Sequence, residues 1–309
     1  MMRSIMTDVL VLGHTGQLAQ CLRASLPASL SVDFVERGRL DITASTSVAQ
    51  YLETLKPHVV INATAYTAVD NAESDKAVAF AVNGAGVTAL AKACAARSIA
   101  LLQVSTDFVF DGTKTSPWLP TDNTSPLGVY GASKLAGEQG MLATHGLRGS
   151  IVRTSWLYSE YGNNFVKTML RLMSQRDELG VVNDQIGAPT DALGLAQVLW
   201  LLAAQHITAQ ALALSSAQRI PIPIYHWSDD GEISWYDFAA EIQRQAQSLG
   251  LLANSAKLRA IGTSDYPTPA RRPGYSVLNG DSLTRQLGRP QAPWQEGLHR
   301  VLVALAASQ

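Results

Sequence analysis

Short strand-like runs alternate with helical patterns along the first half of the chain. They are residues 8–12, which is mainly apolar, 31–35, 59–62, 101–104 and 149–154, and each reads as a strand. Strands and helices that alternate at this spacing build right-handed βαβ units. The expected result is a parallel sheet, with ligands beyond the carboxyl ends of its strands. Gly13, Ala65, Ser105 and Thr106 all stand at such ends.

The first run leads into Gly13-His14-Thr15-Gly16-Gln17-Leu18-Ala19 and a helical pattern through Leu22. Strand, glycine turn and helix is the order that a dinucleotide site requires. Glycine lets the backbone approach a pyrophosphate, which then rests on the helix N-terminus. A tight βα turn without a ligand has the same pattern, so the two glycines alone decide nothing. Glu36-Arg37 ends the second run. An acid there binds a ribose hydroxyl and an arginine receives a 2′-phosphate, so NAD and NADP both stay open. Asp41-Ile42-Thr43 would pass under the adenine, and Thr43 or Ser45 is expected to cap the helix through Leu55. After the third run, Ala63-Thr64-Ala65-Tyr66-Thr67 offers small residues against which a cofactor could lie. Residues 75–97 read as one long helix.

Residues 101–134 carry the chemistry. The fourth run passes into Ser105-Thr106-Asp107, and a loop over 111–127 leads to Tyr130-Gly131-Ala132-Ser133-Lys134. Positions four apart share a helix face. A phenol has a pKa of about 10, and a neighbouring cation lowers it. Tyr130 beside Lys134 thus becomes a proton donor or acceptor, and Ser105 or Thr106 adds a hydrogen bond to the same oxygen. Tyr-x-x-x-Lys arises by chance in many helices, and Ser-Thr-Asp is also an ordinary cap. Behind a glycine turn, the two point the same way.

The later half departs from strict alternation. Helices are expected over 164–176, 191–205, 234–249 and 294–307, extended segments over 179–182 and 224–227, and a loop of variable length over 216–223. Trp156, just past a strand, suits either a substrate ring or the core. Arg271-Arg272 lies between Pro269 and Pro273, a frame suited to a diphosphate or simply to a solvated basic turn.

The net charge of −1 gives no bulk attraction to nucleic acid or an anionic membrane. No two of the six histidines have the spacing of metal ligands on a helix. Cys21 and Cys94 read as core thiols in a reducing compartment. Residues 1–7 hold no apolar run of signal-peptide length, and no stretch is expected to approach a membrane span, so the expected location is the cytoplasm.

Taken together, residues 13–18, 62–70, 105–112, 130–138, 153–158, 162–172, 183–190, 234–238 and 266–273 resemble the extended short-chain dehydrogenase/reductase family. Within it, they are similar to the reductases of dTDP-linked 4-keto sugars. The resemblance runs over nearly the whole chain. It implies an α/β fold, a Rossmann-type doubly wound parallel sheet with a smaller C-terminal α/β substrate domain. Residues 1–155, with a return over about 190–222, would bind NAD(P), and 156–309 would mainly bind the sugar nucleotide. The implied activity reduces C4 of dTDP-4-dehydro-L-rhamnose with NADPH, NADH also being accepted. In that pattern Tyr130 is the proton donor, Lys134 bonds the nicotinamide ribose and tunes the tyrosine, and Thr106 stands beside the keto oxygen. Gly13, Gly16, Gln17, Leu18, Arg37, Asp41, Ile42, Ala65, Tyr66 and Thr67 join Tyr130 and Lys134 in the cofactor shell. Thr106, Asp107, Tyr130, Trp156 and Arg272 form the substrate shell. A small-molecule sugar nucleotide is the implied partner, with no nucleic acid or membrane, and the chain is a monomer or homodimer.

Three features depart from the pattern. Phe108 replaces a common tyrosine, the link over 220–224 looks long, and Leu193 follows Ala192 where magnesium-dependent relatives would need an acid. No metal is assigned. A sugar-nucleotide dehydratase of this fold needs a second carboxylate after Thr106-Asp107, where Phe108 stands; an epimerase is the other enzyme alternative. A relative that serves as a regulatory subunit of methionine adenosyltransferase is the non-catalytic alternative, and the presence of both Tyr130 and Lys134 speaks against it.

Overall fold

The computed structural model describes residues 7–211 and 221–308. Six strands form one parallel sheet. They are β1 (Val9–Leu12), β2 (Val32–Val35), β3 (Val59–Asn62), β4 (Ala100–Thr106), β5 (Arg148–Thr154) and β6 (Ile224–His226). Their spatial order is β6-β5-β4-β3-β1-β2.

Successive side chains on a strand point to opposite faces, so a strand covered on both faces reads as an unbroken apolar run. Val9, Val11, Val59, Ile61 and Leu102 enter one core with Leu18 and Leu22 of the helix Gln17–Ala24 and with Leu195 and Leu199 of Ala192–Ala211. Leu10, Leu12, Val60 and Leu101 enter the other. There they meet Val48 and Leu52 of Ser45–Leu55, Leu90 of Val87–Ala95 and Met141 of Val129–Leu142. Helices therefore cover both faces, and the sheet is doubly wound. β1 lies between β2 and β3, so the order of connection reverses there. Such a reversal opens a crevice at the carboxyl ends.

A third apolar cluster gathers Tyr158, Val166, Met169, Phe238, Ile242, Trp294 and Leu298. It joins the helices Phe165–Gln175, Trp235–Ser248 and Trp294–Ala307 to a parallel strand pair, Glu178–Val182 with Lys257–Ile261.

Several expectations need correction. The helix over 75–97 is divided: Lys76–Phe80, a wide π turn at Ala81–Gly86, then Val87–Ala95. Neither Thr43 nor Ser45 caps the next helix. Ala44 holds the cap position with no side-chain bond, and the Thr43 hydroxyl donates to Asp41 Oδ1 at 2.7 Å. Two stretches do reach membrane-spanning length, Lys76–Ala95 and Ala192–Ala211, each with a mean hydropathy of 1.4. Both flank the sheet, where a broad buried face keeps charges out. Cys21 and Cys94 are buried free thiols, both pushed up to about 12 by burial. Most of the 216–223 loop lies outside the described residues.

Candidate active site

β4 delivers Ser105 and Thr106 at its carboxyl end and passes into a 3-10 turn, Asp107–Val109. Thr106 Oγ1 accepts from the Phe108 amide (3.2 Å) and donates to Asp107 Oδ1 (2.9 Å), so the hydroxyl holds the turn. The helix Val129–Leu142 crosses this turn. Gly131 permits the approach, since a Cβ there would stand 2.1 Å from the Phe108 carbonyl oxygen. Tyr130 meets Phe108 edge-on at 5.6 Å between ring centroids, and its phenol neighbours the Thr106 hydroxyl. Lys134 is buried one turn on, its Nζ donating to the Val104 carbonyl at 2.7 Å. Thr106, Tyr130 and Lys134 thus converge at one strand end.

The electrostatics differ from the sequence expectation. Burial pushes the Tyr130 phenol up to about 12, with the neighbouring Thr106 hydroxyl opposing. Lys134 Nζ is directed at the Val104 carbonyl, and the groups that shift Tyr130 are Thr106 and Asp107. Burial instead brings Lys134 down to about 8, with Glu138 opposing. Glu138 is itself clamped by Arg153 at 2.7 Å. Burial raises Asp107 to about 6. Ser105 Oγ and Asp107 Oδ2 are buried with no hydrogen-bond partner among the described residues.

The glycine turn fits a dinucleotide. Gly13 has φ +126°, which favours glycine, and packs against Ala19 and the Ala63 carbonyl. A side chain at Gly16 would meet nothing within 4 Å, so packing does not demand glycine there. Gly16 offers no side-chain cap to the helix at Gln17, whose first amides have no intrahelical partner. Gln17 contributes backbone only. Its amide group is committed to the Leu157 carbonyl, Ser159 and Asn164. Leu18 is core. Ile42 lies under the π turn, against Gly86. Asp41 is held by Thr43 and by Arg37 at 3.1 Å, and the Arg37 side chain is 76% exposed. Thr67 is exposed, and Ala65 and Tyr66 are half-buried.

Asn83, absent from the sequence reading, ties this shell together. Its Oδ1 accepts from the Tyr66 amide (2.9 Å), and its Nδ2 donates to the Tyr66 carbonyl and to Ser133 Oγ (3.0 Å each). It sits in the π turn, a feature common at functional sites. The available signal was one amide side chain inside an Ala-Val-Gly run.

Asp107, Phe108, Trp156, Gln185, Trp235 and Arg272 line a small cavity, which Phe108 separates from Tyr130. Trp156 has φ +45°, rare for a bulky residue. Its ring stacks on Trp235 at 3.5 Å between centroids, with Gly187 leaving room beneath. Trp156 is therefore part-packed and still on the cavity wall. Gln185 and Trp235 were also missed from the sequence. Arg272 forks onto Asp70, and Arg271 is exposed. Another surface concavity, with Arg244, Gln295 and His299, contains none of these residues.

Comparison with known proteins agrees with this architecture. The model of the family described as RmlD substrate binding domain matches residues 6–307. A dTDP-4-dehydrorhamnose reductase of Aggregatibacter actinomycetemcomitans is 42% identical, over 96% of this chain and 98% of that one. The crystal structure of the dTDP-4-dehydrorhamnose reductase of Bacillus anthracis in complex with NADP superposes with a TM-score of 0.86. It is 34% identical, over 97% of this chain and 100% of that one. A Thermus thermophilus UDP-glucose 4-epimerase in complex with NAD shares the fold at a TM-score of 0.75 and 19% identity, over 97% and 99% of the two chains. With the match carried nearly end to end, this chain belongs to the dTDP-4-dehydrorhamnose reductase family.

Proposed function

We propose that this chain reduces the C4 keto group of dTDP-4-dehydro-L-rhamnose to give dTDP-L-rhamnose, with Tyr130 as proton donor. The observation that carries the reading is the convergence of Thr106, Tyr130 and Lys134 at the end of β4, beside the cavity that holds Trp156 and Arg272. Gly13, Gly16 and the Gln17 amide, with Ala65 and Tyr66, would hold NADPH, with NADH also accepted. When bound, the nicotinamide supplies the two-electron reduction of C4.

The chain's own groups manage the proton. Reduction leaves the C4 oxygen in need of one, and a phenol near 12 is fully protonated at neutral pH. Tyr130 is therefore loaded as an acid. Thr106 would bond the same oxygen once its single O–H turns from Asp107 Oδ1, to which it donates at 2.9 Å. Lys134, near 8, keeps most of its charge at pH 7 and would bond the nicotinamide ribose.

The reading assigns the sheet unit to the cofactor and the third apolar cluster, with the cavity wall, to the sugar nucleotide. The enzyme would work in the cytoplasm as a monomer or homodimer. The test is NADPH and NADH oxidation by purified protein with dTDP-4-dehydro-L-rhamnose, the product identified by mass. Substrate-dependent oxidation with rhamnosyl product is expected. Oxidation no faster than without the sugar nucleotide overturns the reading.

A further inference from the structure

Asp70 lies in the short helix Val69–Ala72, beyond β3. Arg272 lies 202 positions later, and the two meet as a fork. Arg272 Nη1 donates to Asp70 Oδ1 at 3.0 Å and Nη2 donates to Oδ2 at 2.9 Å. Nη1 also donates to Thr268 Oγ1 (2.6 Å) and to the Ala270 carbonyl (3.1 Å). The Ala270 amide donates back to Asp70 Oδ1 at 3.2 Å. One carboxylate thus fixes both the guanidinium and the backbone of the proline-framed segment that carries it. Nε of Arg272 donates to nothing among the described residues, and the side chain lines the cavity with Asp107, Trp156 and Trp235. Three residues after Asp70, Glu73 accepts from the Val129 amide at 2.9 Å, at the start of the Tyr130 helix.

We propose that Asp70 is a positioning residue: it holds Arg272 on the cavity wall, in place for the diphosphate of the sugar nucleotide. The proposal rests on the reading of Arg272 as the diphosphate arginine. A free arginine side chain loses rotamer freedom when it clamps a ligand, and a guanidinium already forked onto a carboxylate has lost it beforehand. The opposing effect, repulsion between Asp70 and the ligand, is screened because Asp70 and Arg272 are both part-exposed. Preorganisation wins, so removal of Asp70 weakens binding.

The experiment measures binding of deoxythymidine diphosphate by calorimetry to the full chain and to Asp70→Asn, Asp70→Glu, Arg272→Ala and the Asn/Ala double variant, with steady-state kinetics alongside. Arg272→Ala should weaken binding about ten- to a hundredfold, the loss of a charged hydrogen-bond partner. Asp70→Asn should weaken it by roughly three- to tenfold. KM for the sugar nucleotide should rise to match, with kcat and cofactor affinity within about twofold of wild type, and Asp70→Glu should recover part of the loss. In the Arg272→Ala background, Asp70→Asn should add almost nothing, because its target is gone. Unchanged or tighter binding by Asp70→Asn, with Arg272→Ala still defective, overturns the positioning role and leaves the diphosphate reading standing. An equal loss in both backgrounds also overturns it, since Asp70 would then act through the fold. Wild-type binding by Arg272→Ala overturns the diphosphate reading and the proposal with it.

Discussion

Asp107 is a carboxyl with one oxygen bonded to Thr106 and the other bare. Its folded pKa of about 6 stands above the ordinary value of about 3.9. The sign follows directly. Between pH 4 and 6 the native state keeps a proton that the unfolded chain releases, so stability falls as pH rises through that window. The loss is on the order of 3 kcal/mol for two units. Asp107→Asn keeps the acceptor for Thr106 and removes the titration. Relative to wild type, the variant should gain stability between pH 4.5 and pH 7, as read by urea unfolding at both values. The same difference at both pH values would show that Asp107 is not held in its neutral form. What this stored charge frustration does in the reaction is tied to its neighbour: Thr106 donates to Asp107, which orients the hydroxyl beside Tyr130.

The helix Val129–Leu142 is placed by its glycines. A Cβ at Gly137 would stand 2.1 Å from the Asn83 carbonyl oxygen, and one at Gly140 would stand 1.9 Å from Thr88 Oγ1. Backbone cannot yield as a side-chain tip can. Gly137→Ala should therefore cost about 1–3 kcal/mol, as overpacked sites do, and should loosen Asn83 from Tyr66. Gly38→Ala is the control, because nothing lies within 4 Å of a Cβ there. Equal urea midpoints for the two variants would refute this packing argument. The same contact explains what could and could not be read from the sequence. The strands at 9–12 and 59–62 were legible because both their faces are buried, which leaves unbroken apolar runs at 9–12 and 59–61. The strand Lys257–Ile261 was not, because Lys257, Arg259 and Ala260 are exposed and no apolar run marks it. The π turn was hidden too, since it lies where Gly137 of another helix meets Asn83. Thr43 looked like a cap because it precedes a helix, yet its hydroxyl found the nearer Asp41 carboxylate.

At the scale of the whole molecule, the site is assembled from distant segments. Local motifs revealed Gly13–Gln17, Thr106 and Tyr130-x-x-x-Lys134, which each sit at a strand end or on one helix turn. Asp70 with Arg272, Trp156 with Trp235, and Gln17 with Leu157 are long-range pairs that no local pattern marks. Cofactor choice is likewise a property of the assembled surface. Arg37 is exposed beyond β2 and, among the described residues, held by Asp41 alone, so it can turn to a 2′-phosphate. Arg37→Ala should raise KM for NADPH by about tenfold, one charged hydrogen bond, and leave KM for NADH unchanged. An unchanged KM for NADPH would remove Arg37 from the cofactor shell. The central claim is that Tyr130 delivers the proton to the C4 oxygen. General acid catalysis contributes about 10²–10⁴-fold, and Tyr130→Phe removes the hydroxyl while keeping the ring against Phe108. The direct measurement is single-turnover reduction of dTDP-4-dehydro-L-rhamnose by Tyr130→Phe at saturating NADPH. The account predicts a rate lower by about two to four orders of magnitude with NADPH affinity intact, and a rate close to wild type would contradict it.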